Sequence, residues 1–201
     1  MYKRQRRILF SGDGYSDAWH EEAAARGLFN LPTTAEALPR FVAPKNLALF
    51  SEMGVLTEAE AVCRYEVKLE KYNKLMNIEA TTMVREARRT YRPVITAYAT
   101  KVAKGLETIR AAGAEAAMAF EQATLNELCE GITAINMSIA KLDELHGKAE
   151  SIADGQAQAE VYAHEVAPAM AELRAAVDAM EEIVAADYWP VPTYDDILFY
   201  V

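Results

Sequence analysis

The stretch Thr57–Arg89, TEAEAVCRYEVKLEKYNKLMNIEATTMVREARR, decides the fold. Val62, Tyr65, Leu69, Tyr72 and Met76 recur three and four residues apart and share one face of a helix, while Arg64, Lys68, Lys71 and Lys74 fall elsewhere around it. This is an amphipathic helix in need of partners. Thr57 with Glu60 three residues on is a capping-box pair, which satisfies the first orphan amides and fixes the start. Continued to Ala112, the helix would be about 84 Å long at ~1.5 Å per residue, longer than a compact domain of this size is wide. It must protrude or bend, and Pro93, which lacks a backbone donor, predicts a kink or break near Thr90–Pro93.

Past that proline the apolar seam resumes at Ile95, Tyr98, Val102, Leu106 and Ile109, and Gly113 is the natural place for the chain to turn back. The next segment repeats apolar residues at Met118, Leu125, Leu128, Ile132, Ile135, Ile139 and Leu142 and is expected to end at Gly147. A third, from about Glu150 to Ala186, carries Ala163, Val166, Met170, Leu173, Val177, Met180 and Val184, with a bend or a fresh start near Val166 because of Pro168. Brief connections at Gly113 and Gly147 favour antiparallel neighbours. The expected fold is mainly α: short helices and loops, then long antiparallel helices forming a coiled-coil-like bundle.

Upstream, RILFSGDG reads as a strand entering a turn, yet almost no later segment shows the alternation its partners would need. That mismatch suggests a piece of a longer chain, with residues 1–5 of the basic MYKRQRR cluster a leader or a truncation scar. Ser16 is expected to cap a short helix from about Asp17 to Arg26 that stops at Gly27, Thr34 to cap another over Ala35 to Leu38 that stops at Pro39, and Pro44 to start a third closed by Gly54. At the other end, Trp189, Pro190 and Pro192 force an extended path, and Ile197, Leu198 and Phe199 call for burial against the body or a neighbouring subunit. The boundaries are therefore 1–5, 6–56, 57–187 and a tail at 188–201.

Composition narrows the function classes. A net charge of −9 leaves no broad basic surface for phosphates, so nucleic acid is disfavoured as a partner. No run approaches the roughly 18 apolar residues of a membrane span, and the expected location is cytoplasmic. Cys63 and Cys129 form neither a CxxC pair nor a disulfide framework and read as buried or half-buried thiols.

Candidate chemistry is sparse. His20, His146 and His164 each neighbour carboxylates, among them Glu21, Glu22, Asp143, Glu144 and Glu165, but none has a Glu three residues before it, as a di-iron bundle site requires; they read as solvated or capping residues. Ser16, Cys63 and Cys129 show no His-Asp relay. The Gly12-Asp13-Gly14 turn lacks the Lys-Ser/Thr that would follow in a phosphate cradle. Tyr65, Tyr72, Tyr91 and Tyr98 have the spacing of core packing rather than of a stacking surface, and Arg85, Arg88, Arg89 and Arg92 read as a solvated face paired with Glu86. Catalytic, cofactor-binding and metal-binding residues are thus expected to be none. The residues alone describe a helical interaction or oligomerisation module.

Four blocks in order, RILFSGDGYSDAW, EEAAARGLFNLPTTAEALP, RYEVKLEKYNKLMNIEATTM and YWPVPTYDDILF, resemble the C-terminal part of type III glutamine synthetases from about Arg6 to Phe199. The most distinctive are Arg64-Tyr65-Glu66 leading to Asn77-Ile78-Glu79-Ala80, and Trp189-Pro190-x-Pro192-Thr193-Tyr194; Ser11 departs from the Asn of the family's pattern. The resemblance implies a cytoplasmic enzyme that ligates ammonia to glutamate using ATP and magnesium or manganese, in stacked homo-oligomeric rings. It places the family's metal and nucleotide ligands upstream, so that this chain is expected to hold no cofactor, to be inactive alone, and to partner its own catalytic domain and neighbouring subunits. A stand-alone helical interaction or regulatory module remains the alternative.

Overall fold

The computed structural model describes residues 8–199, apart from the side chains at 115–117 and 194–195. The expected leader at 1–5 lies outside the described residues. The chain divides into two compact units, Met1–Tyr65 and Glu66–Val201.

In the first unit, helices α1 (Asp17–Ala25), α2 (Thr34–Phe41) and α3 (Pro44–Glu52) follow one another, and α4 (Glu58–Glu86) begins. The strand expected over the RILFSGDG block does not form: with no second strand to accept its backbone bonds, Ile8 to Ser11 stay irregular. Phe10 instead stacks on Trp19 with ring centroids 4.6 Å apart, and the Leu9 carbonyl accepts from Arg26 at 2.6 Å. Ser16 precedes α1 but donates its hydroxyl to the Asp13 carbonyl rather than capping a helical amide. The cap of α2 is Thr33, one residue earlier than expected, because Thr33 and not Thr34 has a Glu at the third helical position: Glu36 N–H donates to Thr33 Oγ1, and Thr33 N–H to the Glu36 carboxylate, both at 3.2 Å. Pro39 does not stop this helix, which runs on to Phe41; so near the end, the missing donor removes a single bond. Gly27 and Gly54 adopt φ of 68° and 65°, which close α1 and α3. Thr57 and Glu60 form the expected box at the start of α4.

The second unit is built on long helices. α4 passes through a π-helical turn, Ala87–Tyr91, into α5 (Arg92–Ala111); after the Gly113 turn, α6 runs Glu115–Glu150; α7 (Gly155–Val161) passes through a second π turn, Tyr162–Val166, into α8 (Ala167–Glu181), and α9 (Tyr194–Leu198) lies in the tail. Both π turns end just before a helix whose second residue is proline, Pro93 or Pro168. A proline neither donates to the carbonyl four residues back nor leaves it room, and a wider turn relieves both demands without breaking the helix.

Cross-helix pairs show the directions. Asn77 meets Glu150, Arg88 meets Asp143 and Arg92 meets Asn136, so α4–α5 and α6 are antiparallel. Lys148 meets Glu165 and Lys141 meets Glu172, so α6 and α8 are antiparallel too. These exposed ion pairs fix register more than stability, each contributing about 0–1 kcal/mol. Between the helices lie Leu128, Ile135, Ile139 and Leu142 of α6, Ile95 and Val102 of α5, and Leu173, Val177 and Met180 of α8, all buried. The fold is mainly α, and the described residues contain no strand.

Two expected boundaries are corrected. Gly147 does not end its helix, which continues to Glu150: it sits on the exposed side, where a glycine is tolerated without a break. The third segment starts at Gly155, not Glu150, because Asp154 caps it by accepting from the Ala157 amide at 2.8 Å. The tail is divided in its behaviour. Trp189 is buried, its ring 5.4 Å from that of Tyr91, and Tyr188 stands edge-on to Tyr98, but Ile197, Leu198 and Phe199 are exposed on this chain, so of the two covers expected for them the body is not the one.

Candidate interaction groove

α5 and α8 both pack on α6, and a groove of about 560 Å³ lies between α8 and the end of α4 with its π turn. Its spacing follows from helical periodicity. Thr82, Met83, Glu86, Ala87 and Tyr91 line one wall, and Met170, Leu173, Arg174, Val177, Asp178 and Glu181 the other, in each case as single residues or adjacent pairs that recur every three to five positions. Val191 and Ile197 of the tail close one end. The floor is apolar and the rim charged.

Around Tyr91 the rim is acidic. Burial, then Glu86, Glu181 and Asp178, push the Tyr91 hydroxyl above its ordinary pKa, against the smaller opposing effect of Arg174. Arg174 donates to Asp178 at 3.3 Å, and Glu86 accepts from Thr90 Oγ1 at 3.0 Å and lies 3.5 Å from Arg85. Such a surface suits an apolar body carrying positive charge.

A second polar group lies where the end of α6 faces α4 and the second π turn. Asn77 donates to Glu150 at 2.9 Å, and His146 Nδ1 stands 3.8 Å from the same carboxylate. His146 Nε2 is buried without a hydrogen-bond partner among the described residues, and the Tyr162 hydroxyl is raised in pKa by burial and then by Glu150, against the smaller opposing effect of the Asn77 side chain. His146 was expected to be solvated or capping; its ring is instead largely covered and 6.5 Å from that of Tyr162. It does not complete a relay with Cys129, which lies about 25 Å away along the same helix.

The other candidates stay apart. His20 and His164 are exposed. Cys63 and Cys129 are exposed rather than buried or half-buried, because each falls just outside the apolar seam of its helix. Tyr65, Tyr72, Tyr91 and Tyr98 are half-buried packing residues. Of the arginines only Arg85 pairs with Glu86; Arg88 reaches Asp143 and Arg92 reaches Asn136 at 3.3 Å. The two amides after the Gly12-Asp13-Gly14 turn are engaged by it, since Tyr15 N–H donates to Asp13 Oδ1 at 2.9 Å and Ser16 N–H to the Asp13 carbonyl at 3.2 Å. Among the described residues no three His, Cys, Asp or Glu side chains converge to hold a metal ion.

Residues 1–110 match the glutamine synthetase C-terminal domain. The chain belongs to that family. A glutamine synthetase of Butyrivibrio fibrisolvens is 32% identical over 194 residues, covering 96% of this chain and 28% of its own length. A type-3 glutamine synthetase of Dictyostelium discoideum is 34% identical over 198 residues, and a glutamine synthetase of Bacteroides fragilis 29% over 196, each covering 96% of this chain and 27% of the relative. The resemblance read from the four blocks is thereby met, and this glutamine synthetase C-terminal region spans a little over a quarter of the length of the relatives it matches. No helix among its described residues is long and apolar enough to cross a membrane.

Sequence reasoning missed the groove because its walls lie some eighty residues apart in the chain. The available signal was the row of acidic and methionine residues, Met83, Glu86, Met170, Asp178 and Glu181, just off the seams.

Proposed function

We propose that this chain is a C-terminal part of a type III glutamine synthetase, the cytoplasmic enzyme that joins ammonia to glutamate at the expense of ATP, and that its long helices serve assembly rather than chemistry. The family match carries the first half of this reading. The antiparallel bundle, with its cross-helix ion pairs, supports the second. In the whole enzyme ATP and magnesium or manganese support phosphoryl transfer; their ligands belong to residues outside this chain, whose partners are its own catalytic domain and neighbouring subunits of a homo-oligomeric ring.

The test is to delete everything after Thr57 from the whole enzyme and compare ring mass by light scattering with metal binding by calorimetry. Assembly is expected to change before metal affinity does. An unaltered ring refutes the assembly role. The separate core of the second unit favours one other reading, a stand-alone helical interaction module. Weighing the native polypeptide in its host separates the two: a product of about this chain's own mass removes the enzyme assignment.

A further inference from the structure

From the way the tail is held we infer that it is a latch: it swings off α5 and opens one end of the groove while the helical bundle stays folded. This motion is independent of the assembly role, and the two fail separately. The hold is aromatic. The Tyr188 ring stands edge-on to Tyr98 at 5.3 Å, with the Lys101 ammonium 4.6 Å from its centre, and the next residue, Trp189, packs on Tyr91. Val191 adds a half-buried side chain to the same core. The main-chain bonds of the described tail residues are local. Tyr188 N–H donates to the Ala185 carbonyl at 2.8 Å, and α9 is capped from within the tail, Thr193 N–H donating to the Asp196 carboxylate at 2.9 Å. Pro190 and Pro192 have no N–H to give. These bonds survive when the tail leaves α5.

Two features make release of the tail less costly than unfolding of the helices. The Trp189 indole N–H is buried without a hydrogen-bond partner among the described residues, so the closed tail holds a desolvated donor that water satisfies on opening. Farther along, the tail adds little burial, with Ile197, Leu198 and Phe199 at 65%, 70% and 71% exposed. α8 is held differently. Leu173, Val177 and Met180 are buried in the shared core, and Lys141–Glu172 and Lys148–Glu165 cross from α6. A segment with few buried side chains and local backbone bonds opens as a unit of its own, below the free energy of the global transition. Position gives the opening its consequence. Val191, Pro192 and Ile197 line the groove, and Tyr91 both lines it and carries Trp189. Release therefore removes one end of the groove and uncovers Tyr91 in the same movement.

The indole proton itself reports the motion, because without a protein partner it exchanges as soon as water reaches it. The experiment follows exchange into deuterated water by nuclear magnetic resonance on this whole chain. Trp19→Phe assigns the signal, since Trp19 and Trp189 are the two tryptophans. The Trp189 indole should exchange about 10²–10⁴-fold more slowly than a free indole, the range that burial of a tryptophan supports. The amides of Ile135 and Leu173, buried in α6 and α8, should be slowed at least about tenfold further, with a steeper dependence on urea. Lys101→Met, which removes the ammonium over Tyr188, should speed the indole about twofold to fivefold, and Tyr188→Ala at least about tenfold. An indole as slow as those amides, with their urea slope, means that the tail leaves only when the bundle unfolds, and overturns the latch. An indole that exchanges fast but ignores both substitutions means that water reaches a closed tail, and overturns it as well. Neither result bears on ring assembly, which the Thr57 deletion tests separately.

Discussion

Gly105, Gly131 and Gly147 all lie inside α5 or α6, but only one of them has a neighbour. A Cβ at Gly105 or Gly147 would meet nothing within 4 Å, whereas at Gly131 it would lie 2.1 Å from Met180 Sδ, 2.5 Å from Cε and 3.1 Å from Cγ. Alanine in a helix interior is favoured over glycine by about 1 kcal/mol. Gly147→Ala should therefore stabilise the chain by about that amount, or about 2–4 °C in Tm for a chain of this size. At Gly131 the same gain is opposed by overpacking against a buried methionine, about 1–3 kcal/mol, because Cγ as well as the flexible end must shift. Gly131→Ala should fall between neutral and about 2 kcal/mol destabilised, leaving a gap of roughly 1–3 kcal/mol between the two variants. Urea unfolding followed by far-ultraviolet circular dichroism reads both. In a Met180→Ala background, itself costing about 2–5 kcal/mol, Gly131→Ala should recover its helix-propensity gain, so the two changes are non-additive. Equal stabilisation at 131 and 147, or strict additivity with Met180→Ala, would refute close α6–α8 packing at this point.

Trp189→Ala should cost about 3–5 kcal/mol and open the tail to limited proteolysis, because the indole is buried against Tyr91. Trp189→Phe should cost less, since it keeps a ring and removes an indole N–H that has no partner among the described residues; equal losses would discredit the packing account. The Glu60 carboxyl is held below its ordinary value of 4.5 chiefly by the Thr57 amide and hydroxyl, with Arg64 adding a smaller effect. Its contribution to the start of α4 is thus present above pH 4.5 and is lost as pH falls through the lower folded value. Thr57→Ala should flatten that acid dependence of helix content, and an unchanged acid limb would show that the capping box does not set it.

Periodic features were legible in the sequence. The seams over Leu128 to Leu142 and Leu173 to Val184 are the buried faces, since helical phase is local and fixed by spacing. Features set by which neighbour competes for a group were not. Thr33 displaces Thr34 as a cap because its Glu stands at the right distance, and the strand at Ile8 fails for want of a second strand. Gly147 as a stop was a local guess that two continuous helical flanks override. The groove joins Glu86 to Glu181, a pairing that only the antiparallel register creates.

The π turn at Ala87–Tyr91 acts as a phase corrector. Around it the inward positions Ala87, Tyr91, Ile95 and Ala99 come four apart three times running. An ordinary helix repeats every 3.6 residues, and three such steps carry its inward face about 120° off course. The wide turn takes up roughly one residue of that drift, so α4 and α5 present one continuous face to α6 on both sides of Pro93. The opposite face is kept in phase by the same correction.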